Sequence, residues 1–291
     1  MKRFSGSFVA LVTPFHGDGS VNFEKLRELV EWQIGQGTDG IVALGTTGES
    51  STMSHEEDDD VARCILETAA GRVPVICGAG SNSTETQLMK SRRYADMGAD
   101  GLLLITPYYV KANDEGMYRH FATVADAVDT PIILYNVPGR TGCSISVACA
   151  KRLAAHPNIA GIKEASGNIS YAADIARLVS DDFVMLSGND DMIVPILSLG
   201  GSGVISVLAN VCPAATHEMV ASYLAGNVAR ARDLQLQYLD LVHALFCEVN
   251  PIPVKEAMNQ LGMAVGGYRL PLCEISPAGR ARVADALEAL R

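Results

Sequence analysis

The feature that most constrains how this 291-residue chain can fold is an alternation of short apolar runs with amphipathic stretches along most of its length. Short apolar runs bounded by turn residues are typical of buried strands, and the stretches between them carry the period of helices. Strands that alternate with helices form a parallel sheet with helical crossovers. The eight strand candidates are residues 8–15, 40–45, 73–80, 101–107, 131–138, 159–166, 183–190 and 203–210.

The number of these units favours an α/β fold of the (β/α)8 TIM-barrel type. Eight strand–helix units fill roughly 220 residues, close to the usual size of such a barrel. An open doubly wound sheet is the alternative, but no Gly-x-Gly-x-x-Gly fingerprint follows the first strand. Helix candidates lie between the strands, and Asn22 and Ser54 have the character of N-caps. These candidates are residues 23–36, 56–70, 84–97, 115–128 and 169–179.

The last part of the chain has a different pattern. From about Val228 onward the periodicity is helical and no strand candidate appears. We expect a barrel domain over residues 1–225 and a three-helix extension over 226–291, packed against the barrel. The three predicted helices are 230–246, 251–261 and 277–290.

Charge and cysteine usage limit the partners and the compartment. The net charge is −10 and no run is rich in lysine or arginine, so we expect no nucleic-acid partner. The seven cysteines are scattered with no Cys-x-x-Cys pair, which suits reduced thiols in the cytoplasm. The start resembles no signal peptide, and no apolar run is long enough to span a membrane.

Lys163 is the most informative single residue, because it lies inside an apolar strand candidate. A lysine is rarely buried without a partner or a purpose, and burial disfavours the charged form of an amine. A neutral amine can attack a ketone and form a Schiff base. Gly161 and Ala165 share its strand face and leave room around it. The alternative is a lysine near a strand end whose amine extends to water.

The active site of such a barrel lies at the carboxyl ends of its strands, where several polar residues are predicted. A Schiff-base enzyme needs an amine, a hydroxyl proton relay and a site for a carboxylate. Tyr135 can donate and accept a proton, and Thr46 and Thr47 can pass protons or bind a carboxylate. Arg140 can hold a second carboxylate with two hydrogen bonds.

Each of these residues also has an ordinary structural interpretation. The Gly45–Gly48 segment could be a plain strand-to-helix turn, Tyr135 a core tyrosine and Arg140 a surface residue on a Pro-Gly turn. Their joint occurrence is what favours catalysis. No His-x-x-x-His pair or Cys/His cluster occurs, so we expect neither a metal nor a cofactor.

Several longer motifs extend across the chain beyond these single residues. They are Gly45-Thr46-Thr47-Gly48-Glu49, Thr106-Pro107-Tyr108-Tyr109, Tyr135-Asn136-Val137-Pro138-Gly139-Arg140-Thr141-Gly142 and Gly161-Ile162-Lys163-Glu164-Ala165. Two more, in the extension, are Asn250-Pro251-Ile252-Pro253-Val254-Lys255 and Arg269-Leu270-Pro271-Leu272. With these motifs the chain resembles the dihydrodipicolinate synthase family of pyruvate-dependent class I aldolases. The resemblance runs nearly end to end and implies a (β/α)8 barrel.

The resemblance implies that Lys163 forms an imine with pyruvate, whose enamine attacks L-aspartate 4-semialdehyde in diaminopimelate and lysine biosynthesis. Tyr135, Thr47 and Tyr109 would relay protons. Tyr109 would reach the site of a neighbouring subunit in a homotetramer built as a dimer of dimers. Thr46 and Thr47 would bind the pyruvate carboxylate, Gly188 and Ile205 would line the pyruvate pocket, and Arg140 would position the semialdehyde.

Two other functions stay open at this point. Relatives that cleave N-acetylneuraminate or keto-deoxy sugar acids generally lack an arginine at the position of Arg140, which a substrate with its own carboxylate needs more than a polyol does. A catalytically inactive barrel kept as a scaffold is the non-enzyme alternative. The intact set of Lys163, Tyr135, Thr47, Tyr109 and Arg140 argues against it.

The resemblance also suggests an effector site, because many relatives are inhibited by L-lysine at a subunit interface. Asp58 stands where a histidine is often found, and Thr86 where a glutamate binds the lysine amine. We therefore expect weak or absent inhibition by L-lysine. The matching positions are Ser50, Ser51, His55, Asp58, Asn82, Thr86 and Tyr108.

Overall fold

A computed structural model describes residues 4–290 and contains a closed barrel of eight parallel strands, which confirms the predicted fold class. Each strand pairs with the next along the chain, and the last pairs with the first. The strands are β1 Gly6–Ala10, β2 Gly40–Ala43, β3 Val75–Gly78, β4 Gly101–Ile105, β5 Ile132–Asn136, β6 Ile159–Glu164, β7 Val184–Ser187 and β8 Gly203–Ser206.

Barrel closure depends on a close backbone approach between β1 and β8. Gly6 is in register with Gly203 across this seam. A Cβ atom added at Gly203 would overlap the backbone of Gly6, so only glycine lets the two strands meet here.

Alternate residues of the strands build two separate hydrophobic layers. Phe8, Ile133 and Leu186 fill the interior of the barrel, whereas Val9, Leu134 and Met185 pack beneath the surrounding helices. Ile162 belongs to the outer layer, so Lys163 points inwards, as strand alternation predicts.

Thirteen α-helices are present in residues 4–290. The first nine follow the strands along the chain, one after each strand except β5, which is followed by both α5 and α6. Asn22 and Ser54 cap α1 and α2 as predicted, each accepting a hydrogen bond from a backbone N–H group of the first turn. These nine are α1 Phe23–Gly35, α2 His55–Ala69, α3 Thr84–Asp96, α4 Asp114–Ala125, α5 Pro138–Thr141, α6 Val147–Ala154, α7 Ile169–Ala176, α8 Ile193–Ser198 and α9 Pro213–Leu224.

Between residues 226 and 290 the chain forms four helices rather than the three predicted. They are α10 Val228–Gln237, α11 Leu239–Leu245, α12 Ile252–Gln260 and α13 Pro277–Glu288. The single helix predicted over residues 230–246 is broken at Tyr238, where no proline or glycine marks a break. The break lets the chain change its packing partner, because α10 packs mainly on α9 and α11 mainly on α13.

No helix between residues 4 and 290 has both the length and the apolar character needed to cross a membrane.

Candidate active site

A small cavity of about 50 Å³ lies at the carboxyl ends of the strands and brings together most of the predicted site residues. Lys163 enters it from β6 and Tyr135 from β5, in register on neighbouring strands. Thr46 and Thr47 come from the turn after β2, and Gly188 follows β7. Four segments distant in sequence thus converge on one small cavity.

Lys163 differs from the other buried lysines in its surroundings. Lys90 and Lys255 are each neutralised, since Lys90 pairs with Asp58 at 2.7 Å and Lys255 with Glu49 at 2.8 Å. Lys163 is 7% exposed and forms no ion pair or hydrogen bond within residues 4–290. Its Nζ instead lies 4.3 Å from the centre of the Tyr135 ring. A buried amine held without a carboxylate suits a nucleophile better than a structural cation.

Gly188 shapes the space that this lysine occupies. A Cβ atom at position 188 would lie 2.6 Å from the Ala165 Cβ and 3.0 Å from the Lys163 Cε. Any larger residue would therefore displace the lysine side chain from its present path. This contact gives the predicted role of Gly188 in lining the pocket a steric basis.

The turn after β2 presents Thr46 and Thr47 to the cavity. Residues Thr46–Gly48 form one turn of 3-10 helix, which we call the threonine turn. Gly45 at its start supplies no side-chain cap. The leading N–H groups of such a turn are available to an anion because they lack partners within the helix. The arrangement is suited to holding a carboxylate next to Lys163.

Arg140 lies in α5, directly after β5, and lines the same cavity. Its side chain is exposed, and its guanidinium forms no hydrogen bond or ion pair within the described part of the chain. A free guanidinium at the mouth of the cavity can bind a carboxylate with two hydrogen bonds. The structure therefore keeps the predicted carboxylate-binding group available.

Asp190, which was not predicted, is a buried carboxylate after β7. Its Oδ2 accepts hydrogen bonds from the backbone N–H groups of Val207 and Leu208, each at 3.0 Å. Burial raises the pKa of Asp190, while hydrogen bonding from Ser206 and the backbone, and the charge of Lys163, act in the opposite direction. Asp190 thus joins the loops that follow β7 and β8.

A second and larger cavity, of about 490 Å³, adjoins the first and shares Gly45, Thr46, Tyr135 and Arg140 with it. Most positions predicted for an effector site line this cavity. They are Ser50, Ser51, His55, Asp58, Thr86 and Tyr108. Asn82 is half-buried and is absent from the described lining.

Two predicted catalytic-site residues lie apart from the small cavity. Tyr109 is 88% exposed, with a positive φ of 67°, and is not among the described lining residues. Ile205 is buried in the barrel interior, also outside the described lining. Within a single chain, Tyr109 therefore does not complete the relay with Tyr135 and Thr47.

The sequence analysis missed the contribution of the C-terminal extension to this site. Asn250 lines the small cavity, and its side-chain amide donates a hydrogen bond of 2.9 Å to the Thr47 Oγ1. Lys255, in α12, pairs with Glu49 at the end of the threonine turn. The only local signal was the Asn-Pro-Ile-Pro-Val-Lys motif, which contains both residues but does not show what they contact.

Known proteins agree closely with this architecture. The model of the dihydrodipicolinate synthetase family matches residues 3–290. The 4-hydroxy-tetrahydrodipicolinate synthase of Thermoanaerobacter sp. (strain X514) is 52% identical over 95% of this chain and 93% of its own length. The enzyme of the same name from Clostridium perfringens (strain SM101 / Type A) is 49% identical over 98% of both chains.

Solved structures give the same result. The crystal structure of dihydrodipicolinate synthase from Cyanidioschyzon merolae with lysine bound superimposes with a TM-score of 0.97 and 39% sequence identity. The match covers 100% of this chain and 99% of that one. A family model that spans almost every residue, together with relatives at about half identity, places the chain by descent as well as by fold. The chain belongs to the dihydrodipicolinate synthetase family.

Proposed function

We propose that this chain condenses pyruvate with L-aspartate 4-semialdehyde to give 4-hydroxy-tetrahydrodipicolinate, the product in the name of its curated relatives. The observation that carries the proposal is the environment of Lys163. It is a buried amine with no ion-pair partner in residues 4–290, beside a phenol and a pair of threonines. That set is what imine chemistry on a small keto acid requires.

In the proposed reaction, the Lys163 amine adds to the ketone carbon of pyruvate and loses water to form an imine. The pyruvate carboxylate binds at the turn of Thr46 and Thr47, which both line the cavity and have N–H and hydroxyl groups to donate. Removal of a methyl proton gives an enamine. Its carbon attacks the semialdehyde carbonyl, which takes up a proton and becomes a hydroxyl group.

Tyr135 and Thr47 carry the protons of these steps. The amino group of the semialdehyde portion then attacks the imine carbon, closes the ring and releases the Lys163 amine. Arg140 holds the carboxylate of the semialdehyde, because its guanidinium is uncommitted at the cavity mouth. A sugar-acid aldolase has less use for a cation at this position, so Arg140 is the residue that favours the synthase.

We further propose that the working enzyme is a homotetramer built as a dimer of dimers, in which Tyr109 completes the relay of a neighbouring subunit. The support is the exposure of a tyrosine that the isolated chain does not use, next to the exposed Val110. Mixing Lys163→Ala and Tyr109→Phe subunits tests this. Recovery of activity above both parents supports an exchange of Tyr109 between subunits, and no recovery contradicts it.

The test of the function combines turnover with trapping. Purified protein is incubated with pyruvate and either L-aspartate 4-semialdehyde or N-acetylmannosamine, and borohydride reduction followed by peptide mass spectrometry locates any pyruvate adduct. We expect turnover with the semialdehyde only, and an adduct on Lys163 that Lys163→Ala abolishes. Turnover with the sugar alone would assign the chain to the lyase branch, and absence of any adduct would favour an inactive scaffold.

A further inference from the structure

The three residues Thr47, Gly48 and Glu49 are each held by a partner from outside their own turn. Asn250 donates to the Thr47 Oγ1, the Thr13 hydroxyl donates to the Gly48 carbonyl at 2.6 Å, and Lys255 pairs with the Glu49 carboxylate. Two of these partners belong to the C-terminal extension. The segment that is proposed to bind pyruvate is therefore fixed by a part of the chain about 200 residues away.

The turn from Gly45 to Gly48 is flanked by two residues in a backbone conformation that non-glycine residues rarely adopt. Leu44, just before it, has a φ of 58°, and Glu49, at its end, has a φ of 55°. Left-handed conformations at such residues are unfavourable and persist where surrounding contacts determine them. The ion pair between Lys255 and Glu49, which we call the tether, restrains one of these two residues.

The ion pair at Glu49 is completely enclosed, with neither side chain accessible to solvent. The Lys255 Nζ also donates to the Thr13 carbonyl at 3.1 Å and lies 4.4 Å from the centre of the Phe15 ring. Burial lowers the pKa of Lys255, and the Glu49 carboxylate acts in the opposite direction. Replacing such a pair by apolar residues often costs no stability. Stability alone therefore gives little reason for a charged tether here.

The contact at Thr47 also fixes a direction of proton donation. Because the Asn250 amide nitrogen donates to the Thr47 Oγ1, the hydroxyl hydrogen of Thr47 stays available to a different acceptor. The Asn250 Oδ1 is buried without a partner among residues 4–290, and Asn250 lines the cavity that contains Lys163. An unpaired buried acceptor beside the reacting groups suits a role in the occupied site.

We propose that Asn250 and Lys255 are positioning residues, which act through Thr47 and Glu49 to hold the threonine turn in the geometry that binds the pyruvate carboxylate and relays protons. This inference rests on the proposed function. It makes the C-terminal extension part of the active site, although the extension contributes no reacting atom.

The test separates positioning from stability by comparing Lys255→Met with Glu49→Gln/Lys255→Met. The single variant leaves a buried, unpaired carboxylate and is expected to unfold at lower temperature. The double variant removes both charges and is expected to recover most of that loss. If the tether positions the turn, the double variant still shows a raised KM for pyruvate and a kcat reduced by up to about 100-fold, the effect of an ångström-scale misplacement.

Asn250→Ala examines the second contact independently, and its kcat is expected to fall with little change in the thermal midpoint. Glu31→Gln/Arg72→Met is the matched control. It removes an ion pair of 2.6 Å near the opposite end of the barrel, between α1 and the turn after α2, and should leave kcat and KM unchanged.

Wild-type turnover and the pyruvate adduct on Lys163 are measured first, because their absence would overturn the proposed function itself. With both present, wild-type kcat and KM in the double variant and in Asn250→Ala would overturn only the positioning role. Activity that merely follows thermal stability across the series would do the same. Low activity in a stable double variant supports the inference.

Discussion

The amine of Lys163 lies over the face of the Tyr135 ring, with its Nζ 4.3 Å from the ring centre. The two residues are in register on the neighbouring strands β5 and β6. Tyr135 thus contacts the lysine through its ring and, in the proposed reaction, transfers protons through its hydroxyl group. The contributions of its ring and of its hydroxyl group can be measured separately by substitution.

Tyr135→Phe keeps the ring under Lys163 and removes only the hydroxyl group. We expect the pyruvate adduct to form still, while kcat falls by roughly 10²- to 10⁴-fold, the usual contribution of a general acid–base group. Borohydride trapping and steady-state turnover measure the two effects. Tyr94→Phe is the control, because its buried hydroxyl has no partner in residues 4–290 and does not line either cavity. Equal turnover in wild type and Tyr135→Phe would remove Tyr135 from the relay.

Gly188→Ala should impair catalysis through its contact with Lys163. The new methyl group would lie 3.0 Å from the lysine Cε and 2.6 Å from the Ala165 Cβ, so the lysine must move. We expect a stability loss of about 1–3 kcal/mol, typical of overpacking, and slower adduct formation. Gly267→Ala is the control, because nothing lies within 4 Å of its added Cβ atom. An unchanged rate of trapping in Gly188→Ala would contradict the steric role.

Arg140→Met should impair the use of the semialdehyde but not the binding of pyruvate. We expect the pyruvate adduct to form as in wild type, whereas kcat/KM for the semialdehyde falls roughly 10- to 100-fold through loss of charged hydrogen bonds. Arg140→Lys keeps the charge but not the two-pronged geometry and should be intermediate. Steady-state kinetics with each substrate varied in turn measures this. A rise in KM for pyruvate alone would assign Arg140 to the other carboxylate.

Inhibition by L-lysine should be weak or absent. Asp58 lines the larger cavity, but its carboxylate already pairs with Lys90 at 2.7 Å, and the neutral Thr86 lies nearby in the lining. A ligand ammonium thus meets no uncommitted carboxylate at either position. Initial rates measured over a lysine titration test this, with pyruvate held at its KM. A tight, cooperative inhibition curve would show that the cavity binds lysine by other groups.

The contact between Glu57 and Arg269 should make stability depend on pH in the acid range. The hydrogen bond from the Arg269 guanidinium lowers the pKa of Glu57 from 4.5 to about 2, against the effect of burial. Its contribution to stability is complete above the unfolded value of 4.5 and is lost as pH falls towards 2. The stability difference between wild type and Glu57→Gln should shrink over that interval. Thermal midpoints at several pH values measure it, and a constant difference would contradict the linkage.

The predicted parts of the site came from signals that are local in sequence. An inward-facing Lys163 follows from strand alternation, and Thr46, Tyr135 and Arg140 follow from the position of active sites at the carboxyl ends of barrel strands. The break at Tyr238 has no local signal, because it reflects a change of packing partner. The contacts of Asn250 and Lys255 span 203 and 206 residues, and no period or motif specifies which group each side chain meets.

The separation between Glu49 and Lys255 has a consequence for synthesis of the protein. The strands and the threonine turn lie within the first 206 residues, whereas the cation that secures Glu49 is added nearly fifty residues later. A nascent barrel leaving the ribosome therefore contains Lys163, Tyr135 and Thr47 before the ion pair at Glu49 can form. On the positioning role proposed for Lys255, the chain becomes competent for catalysis only after residue 255 is added, when the barrel strands are already complete.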